Sequence, residues 1–538
     1  MNDKLAIGID FGTCFSYAYV CNGYGLLEAL INPINNDNLG MPSIFYCGSG
    51  HDEKYLVGSA AKRRIRQPHI KASYSKYVVE RIKMRMKEAP FYLKSGKINA
   101  GTIITNLVAG LFEVIQKEFQ RMRYSPKNSV DIAFVGIPVR YPKEYKDIIE
   151  RATIQAAKST NIASPYFQVE FIEEPIAIAL DYCETEDFVR QPVLVYDLGE
   201  GTFDTACIFA NRDKAKRTYG DYCVLAKEGS GTDDENKVGA FDWDKALAKL
   251  ITDKAQELGR VVNISDLIND GVVKETKHEL CSEDCPDPYT VLGVYDINKN
   301  LCDNITVSVE EFETVTKKWL DMTLALVKDA VTSTGLHLGI PWRVVLSGGG
   351  SNMPQVEQGV RKLFNEMGAK IYNDEVTMYR PQEAVARGAA RASYWKKVKR
   401  ITAFDYGVAV RKDNTIVNRH YLVNHGTELP LRSISCDLKT VHAGYVEIVV
   451  LSKNKHEEEI GKLKINFDNP KPIGTTVRVD IEVMARSMLI VHVCVLGQDI
   501  NSSIWEEIEI PIQPLTQERD KMESVIKWNF LTHKDLGG

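Results

Sequence analysis

The chain has 538 residues, 44% of them hydrophobic and 26% charged, which excludes a largely disordered protein and favours more than one domain. Its 67 basic and 72 acidic residues leave a formal charge of −5, so neither nucleic acid nor a membrane surface is an expected partner. Apolar runs are shorter than the ~20 residues of a membrane helix and the first residues lack a secretory signal, so we expect a cytoplasmic protein.

Two segments within residues 1–395 resemble each other: IGIDFGTCFSYAYV at 7–20 and VLVYDLGEGTFDTACIF at 193–209. Each begins with a run rich in β-branched and aromatic residues, turns through the motif D-x-G with a threonine nearby, and continues in a second apolar run. This pattern predicts strand, turn and strand twice. Apolar residues at helical spacing between 108 and 119 predict helices in the intervening chain, so this region should be α/β.

Both turns carry residues suited to binding a metal ion and phosphate. A carboxylate at the end of a strand can hold hydrated Mg²⁺, while backbone N–H groups and a hydroxyl contact phosphate oxygens. The first turn offers Asp10, Gly12 and Thr13, and the second offers Asp197, Gly199, Gly201, Thr202 and Asp204. Either turn alone could be an ordinary hairpin turn, because D-x-G is a common motif. Their duplication instead predicts one nucleotide held between the two turns.

A third glycine-rich turn follows a predicted strand in RVVLSGGGSNMPQVEQGV at 343–360. Gly348, Gly349 and Gly350 would let a flat ring or a sugar lie against bare backbone. The helix entered through Pro354 would favour an anion near its first residues. The alternative is a tight connection between a strand and a helix, with no ligand.

The tightest cysteine group is Cys281, Cys285 and Cys302. A zinc site usually needs a second close pair of ligands, and the sequence offers none here. We therefore favour scattered, reduced thiols over a structural metal.

Beyond Trp395 the pattern changes to short β-rich runs separated by turn residues, among them TIVNRHYLV, YVEIVVLS and TTVRVDIEVM. No long helical period interrupts them, so residues 403–512 are predicted to form an all-β sandwich of six to eight strands. A basic linker at 396–402 precedes this region. Residues 513–538 form a tail in which one short helix is expected near 516–530.

The three turns, together with FIEEPIAIALDY at 171–182 and RPQEAVARGAARAS at 380–393, resemble the ATPase domain of the seventy-kilodalton heat-shock chaperones, within the actin and sugar-kinase superfamily. The β-rich region resembles the peptide-binding sandwich of the same family. The resemblance implies a two-lobed, actin-like nucleotide-binding domain at 1–395 and a substrate- or partner-binding sandwich at 403–512. No helical lid is expected after residue 512.

The resemblance also implies roles for individual residues, with ATP or ADP and Mg²⁺ as cofactors. Asp10 and Asp197 would hold Mg²⁺ through water. The phosphates would be contacted by Gly12, Thr13, Cys14, Gly199, Gly201 and Thr202, and the adenosine by Lys277, Cys281, Gly348, Gly349 and Gly388. The catalytic residues would be Lys76, Glu174, Asp204 and Thr202. Lys76 has a simpler alternative, a solvated basic face, because residues 62–87 hold ten Lys or Arg and one acid.

Some residues depart from the family pattern. Glu200 stands where the second turn has glycine, and a carboxylate ~5 Å from a phosphate at an effective dielectric of about 20 costs roughly 3 kcal/mol, weakening binding about a hundredfold. Mg²⁺ or Lys76 could screen it, or the side chain could point outward. Cys14 replaces a threonine, and Lys274, His278, Cys281 and Asn352 change the adenosine side of the site. The basic linker and Glu170 put coupling between domains and J-domain binding in doubt.

The leading prediction is an ATP-binding, slowly hydrolysing chaperone-like protein whose sandwich binds polypeptide through Val408 and Val446, beside an Arg411 arch that could prefer an acidic or polar partner. A nucleotide-exchange factor is a further expected partner. One alternative is a nucleotide-sensing adaptor that hydrolyses little ATP and binds one dedicated protein. A second is an actin-like filament or a small-molecule kinase, against which the β-rich region argues.

Overall fold

A computed structural model describes the chain except residues 1–4, 23–24, 27–39, 49–54, 68–69, 71–72, 122–129, 186–187, 213–220, 232–236, 335, 337, 393–398, 403–404, 425–430, 454–456, 468, 485–487, 496–502, 510–511 and 516–538. The chain divides into two compact units. The first unit comprises Met1–Gly220 and Val224–Trp395, and the second comprises Asp221–Cys223 and Lys396–Gly538.

The α/β part of the chain contains helices and strands in alternation. Its strands are β1 (Leu5–Phe11), β2 (Phe15–Asn22), β3 (Gly25–Leu26), β4 (Met41–Pro42), β5 (Ile44–Tyr46), β6 (Leu56–Val57), β7 (Val78–Glu80), β8 (Phe91–Leu93), β9 (Gly96–Ile98), β10 (Val130–Ile137), β11 (Ala163–Glu173), β12 (Phe188–Leu198), β13 (Phe203–Arg212), β14 (Asp221–Gly229), β15 (Tyr289–Thr290), β16 (Thr306–Val307), β17 (Pro341–Ser347) and β18 (Lys370–Met378). Its helices are α1 (Gly58–Ile65), α2 (Ile82–Arg85), α3 (Ala100–Arg121), α4 (Lys143–Ser159), α5 (Glu174–Thr185), α6 (Ala240–Glu257), α7 (Ile264–Asn269), α8 (Val272–Leu280), α9 (Val309–Ser333), α10 (Pro354–Met367) and α11 (Ala384–Ala392), with 3₁₀ turns at Tyr74–Lys76, Met86–Glu88 and Gly349–Asn352.

Two large sheets share one topology. The first has the strand order β11-β10-β1-β2-β3, with β4 added to β2, and the second has the order β14-β13-β12-β17-β18. In each, an antiparallel hairpin, β1–β2 or β12–β13, continues sideways into a parallel strand, β10 or β17. The two similar sequence segments therefore form equivalent hairpins, and Asp10 and Asp197 end equivalent strands.

Apolar side chains on regular spacings build the cores that hold these hairpins in place. The α3 residues Val108, Leu111, Phe112 and Ile115 are buried against the first sheet, as their helical spacing predicts. Helices α5 and α11 cross so closely that a Cβ atom on Gly388 would lie 1.8 Å from the carbonyl oxygen of Ala177. This crossing places Glu174, the first residue of α5, beside the carboxyl ends of β1 and β10.

The second unit contains a β-sandwich. Its strands are β19 (Lys399–Thr402), β20 (Asp405–Lys412), β21 (Thr415–Val423), β22 (Leu431–Lys439), β23 (Tyr445–Lys453), β24 (Glu457–Asn466), β25 (Thr476–Met484), β26 (Met488–Val495), β27 (Ser503–Glu509) and β28 (Ile512–Leu515). Two four-stranded antiparallel sheets, β21-β20-β23-β24 and β22-β25-β26-β27, enclose one apolar core. Eight strands agree with the six to eight predicted.

Both ends of this unit differ in part from the sequence expectations. Within the linker predicted at 396–402, Lys399–Thr402 form β19 and pair with β28, while residues 396–398 lie outside the described chain. The helix predicted near 516–530 also lies outside it. Among the described residues, no helix has both the length and the apolar character needed to cross a membrane.

Candidate functional site

Four carboxylates and one lysine converge where the two hairpins meet. Asp10 ends β1, Asp197 and Asp204 face each other across β12 and β13, and Glu174 begins α5. We call these four residues the carboxylate cluster. Lys83 of α2 donates a hydrogen bond from Nζ to Glu174 Oε1, and both side chains are buried.

The cluster carries more negative charge than its surroundings neutralise. Burial, followed by the charge of Glu174, raises the pKa of Asp10 to about 7 and that of Asp204 to about 7. The pKa of Asp197 is raised well above its ordinary value by burial and then by Glu174, Asp204 and Asp10. Burial acts to lower the pKa of Lys83, but Glu174 and Asp10 raise it overall. The negative charges of neighbouring carboxylates repel each other and so favour protonation. A divalent cation bound among them would relieve this repulsion.

The two turns face each other at close range. A Cβ atom on Gly201 of the second turn would lie 2.8 Å from Oγ1 of Thr13 in the first turn. A Cβ atom on Gly12 would lie 2.0 Å from the carbonyl oxygen of Phe15, so this position needs glycine. The structure thus brings Asp10 and Asp197 together, as the duplicated motif predicts.

Asp204 is held by two donors. The backbone N–H of Val139 donates to Asp204 Oδ1 at 2.8 Å, and a hydrogen bond with the Thr202 side chain also acts to lower its pKa. Thr202 in turn accepts at its carbonyl oxygen from the N–H of Gly199 at 3.0 Å, which closes the turn. The carboxylate is therefore fixed in orientation and only partly stabilised in its charged form, as a proton acceptor requires.

The residues present suit hydrated Mg²⁺. All four side chains of the carboxylate cluster offer carboxylate oxygens, which are the ligands that Mg²⁺ prefers. Among the described residues, no three His, Cys, Asp or Glu side chains are placed to coordinate one ion directly. The contact through water that the sequence predicts for Asp10 and Asp197 stays a prediction; Mg²⁺ usually keeps several waters.

The third turn presents bare backbone beside the second. Gly348 has φ +77°, and a Cβ atom there would lie 2.4 Å from the carbonyl oxygen of Leu198. Gly349 is exposed, and a Cβ atom added to it would have no neighbour within 4 Å. Gly348 therefore fixes the turn against β12, while Gly349 leaves room for a flat ligand.

Comparison with known proteins agrees with this architecture. A family model described as Hsp70 protein matches residues 6–524. The chain belongs to the Hsp70 family.

Individual relatives of the chain are distant. A chaperone protein HscA homolog from Delftia acidovorans is 25% identical over 72% of this chain and 58% of its own length. A chaperone protein DnaK from Psychrobacter cryohalolentis is 27% identical over 71% and 57%, and a mitochondrial-type heat shock protein 70 from Encephalitozoon cuniculi is 30% identical over 48% and 41%. The chain thus spans less than two thirds of the length of these curated relatives.

The lysine of this Hsp70-family site is not the one expected. Lys76 is exposed on the 3₁₀ turn Tyr74–Lys76, whereas the buried Lys83 contacts Glu174 and acts on Asp10 and Asp204. The catalytic role of Lys76 stays a prediction, and the sequence did not point to Lys83 because both lysines lie in one basic stretch. No sequence signal separates them, because each has a buried hydrophobic neighbour, Tyr77 beside Lys76 and Ile82 beside Lys83.

Two other predicted positions have different surroundings from those expected. Gly388 packs against Ala177 where α5 and α11 cross, so its missing side chain serves helix packing, and its contact with adenosine stays a prediction. Lys277 of α8 pairs with Asp244 at 2.5 Å, and burial raises the pKa of the neighbouring Cys281 to about 11. Their roles at adenosine stay predictions.

Glu200 is paired, neither free nor screened by Lys76. Arg81 Nε donates to Glu200 Oε1 at 2.9 Å. Cys14 lies close by, and the surrounding protein together with the charge of Glu200 raises the pKa of its thiol. Sequence analysis missed Arg81, which precedes α2 and has no motif of its own.

Two of the residues predicted to contact a peptide lie inside the sandwich. Val408 and Val446 have no exposed surface and lie in the core between the sheets, so neither is positioned to touch a peptide. Arg411 donates to Glu447 at 2.8 Å and also to Glu459. Its charge is therefore already balanced, which removes the reason to expect an acidic partner there.

Proposed function

We propose that this chain is an ATP-binding protein of chaperone type that hydrolyses ATP slowly, with a two-lobed nucleotide domain at 1–395 and a partner-binding sandwich at 403–512. The observation that carries the proposal is the buried Lys83 among four carboxylates, between two facing glycine turns. Chaperones of the same family, similar to this chain across that region, support it. A cytoplasmic location stays part of the proposal.

Each residue of the site has a defined task in this proposal. Asp10 and Asp197 would orient water molecules of hydrated Mg²⁺, which would offset charge on the phosphates. Thr13, Gly201 and the turn N–H groups would contact phosphate oxygens. Lys83 replaces Lys76 as the lysine that positions the attacking water.

Asp204 and Glu174 complete the arrangement. Asp204 has its pKa raised to about 7, so it can accept a proton from water near neutral pH. Glu174 fixes Lys83 and links the site to α5, whose crossing with α11 is tightly packed. Catalysis would rest on positioning and charge, since phosphoryl transfer needs little covalent chemistry from the protein.

A nucleotide-sensing adaptor is the second candidate. It is favoured by the burial of Val408 and Val446, the two apolar residues predicted to contact a peptide. The proposal includes a nucleotide-exchange factor and a J-domain protein as partners under either candidate. A filament or a small-molecule kinase is not favoured, because the family match extends through the sandwich.

Thermal unfolding with ATP, ADP and Mg²⁺ tests nucleotide binding, and single-turnover hydrolysis separates the two candidates. We expect a Mg²⁺-dependent rise in the unfolding temperature with either nucleotide. Hydrolysis should be measurable in the parent and lost in Lys83→Ala, while Lys76→Ala should match the parent. Equal, near-background rates in all three proteins would favour the adaptor. No shift at millimolar nucleotide would refute the proposed function.

A further inference from the structure

We propose that Arg81 is a positioning residue of the nucleotide site: it neutralises Glu200 in the second phosphate turn, so that the turn can accept a triphosphate. This inference rests on the proposed function. It concerns Glu200, where the family pattern given above has glycine, and the arginine that contacts it.

Arg81 makes two side-chain contacts and has a left-handed backbone conformation. Its Nε donates to Glu200 Oε1 at 2.9 Å, and its guanidinium carbon lies 3.8 Å from the ring centroid of Phe241. Its backbone has φ +56° and leads directly into α2. A guanidinium over an aromatic ring and against a carboxylate keeps one orientation better than a solvated side chain does.

The same contacts tie two parts of the site together. Phe241 follows the first residue of α6, and its N–H donates to the carbonyl oxygen of Glu200 at 3.0 Å. Arg81 thus contacts both the side chain of Glu200 and the helix that supports the turn. Two residues further along the chain, Lys83 contacts Glu174. One short segment therefore anchors both the turn and the site lysine.

The ion pair of Arg81 with Glu200 lies in the turn that is proposed to contact phosphate. Its side chains are only 32% and 18% exposed, unlike the pair of Arg85 with Glu88 on the same segment, at 38% and 52%. Without Arg81, Glu200 would add an unpaired negative charge to the turn that also carries Asp197 and Asp204. At ~5 Å and an effective dielectric of about 20, an unpaired carboxylate would weaken phosphate binding about a hundredfold.

A charge-compensation experiment tests this inference on the full chain. Equilibrium binding of Mg-ATP and Mg-ADP is measured for the parent, Arg81→Ala, Arg81→Lys, Glu200→Gly and Arg81→Ala/Glu200→Gly. Arg85→Ala is the matched control, because it removes an arginine from the same segment and breaks a more exposed pair.

We expect Arg81→Ala to raise the Kd for Mg-ATP about a hundredfold, and the Kd for Mg-ADP less, because ADP carries less negative charge. The double variant should return to within about threefold of the parent, since the unpaired carboxylate is gone. Arg81→Lys should retain most of the affinity, and Arg85→Ala should bind like the parent.

A double variant as weak as Arg81→Ala would overturn the inference, because the loss would then not come from Glu200. Unchanged binding by Arg81→Ala would overturn it as well. If Arg81→Ala unfolds, comparison of Glu200→Gly, Arg81→Lys and the double variant gives the same answer. Failure of the parent itself to bind either nucleotide would instead refute the proposed function, and with it this inference.

Discussion

The two units of the chain distribute charge in opposite ways. In the first unit Asp197, Asp204 and Glu174 are buried together, and Lys83 contacts Glu174 while its charge acts on the two aspartates. In the sandwich the core is apolar, and ion pairs such as Arg411 with Glu447 lie on the outer side of the strands.

The buried carboxylates of the first unit are suited to binding a ligand, whereas the paired charges of the sandwich are suited to contact with solvent. Burying several carboxylates costs stability unless they are paired, and such groups have raised pKa values in folded proteins. The half-buried pair of Arg411 with Glu447 leaves neither charge without a partner, and such pairs near the surface contribute little to stability. A buried cluster with one cation is therefore strong evidence for a binding site, whereas the pairs on the sandwich need no ligand to explain them.

Replacing Lys83 should produce the largest effect. Lys83→Ala removes the cation that contacts Glu174, and we expect hydrolysis to fall about a hundredfold or more. Breaking a buried pair should also lower the free energy of unfolding by about 3 kcal/mol. Single-turnover rates and urea unfolding measure the two effects.

The control for this change is Lys76→Ala, which removes an exposed lysine seven positions earlier. It should leave both the hydrolysis rate and the urea midpoint near those of the parent. A larger loss of activity in Lys76→Ala than in Lys83→Ala would restore the original assignment from sequence and contradict the geometry.

The close crossing of α5 and α11 at Gly388 provides a second test, with a glycine of the sandwich as its control. In Gly388→Ala the added methyl group would lie 1.8 Å from the carbonyl oxygen of Ala177, so α5 and α11 must separate. We expect a loss of about 3 kcal/mol, measured by urea unfolding. Gly444→Ala in the sandwich is the matched control, since no atom lies within 4 Å of the new methyl group there. Equal stability of the two variants would show that the crossing is looser than described.

The buried carboxylates predict a pH dependence. Burial and Glu174 raise the pKa of Asp204 from its ordinary value of 3.8 to about 7. Between these values the folded protein keeps a proton that the unfolded chain has lost, so stability falls as pH rises from about 4 to about 7. We expect Asp204→Asn to reduce this fall by about 2 kcal/mol in metal-free buffer. A parallel pH profile for parent and variant, measured by urea unfolding, would contradict the raised pKa.

The sequence predicted backbone motifs well and side-chain partners poorly. The turns at Asp10 and Asp197 could be found because a strand that ends in D-x-G leaves a local pattern, and its duplication implied their proximity. Lys83 and Arg81 could not be found, because their role depends on contacts with Glu174 and Glu200, about 90 and 120 residues away.

The other assignments were made from the same kind of local information. Gly388 and Val408 were assigned to ligand surfaces from their place in a motif, but burial depends on which element packs against them. An alternating strand pattern tells which residues share a face and not whether that face is covered. The sandwich fold was therefore predictable, and its binding surface was not.

The smallest effect is expected for Arg411 in the sandwich. Arg411→Ala breaks the pairs with Glu447 and Glu459 on a partly exposed sheet, so the free energy of unfolding should change by about 0.5 kcal/mol. Val408→Ala in the same strand should cost about 2 kcal/mol, because it leaves a cavity in the core. Urea unfolding measures both changes. If Arg411→Ala lowered the free energy of unfolding more than Val408→Ala does, the charged pairs of the sandwich would contribute to stability as strongly as its apolar core.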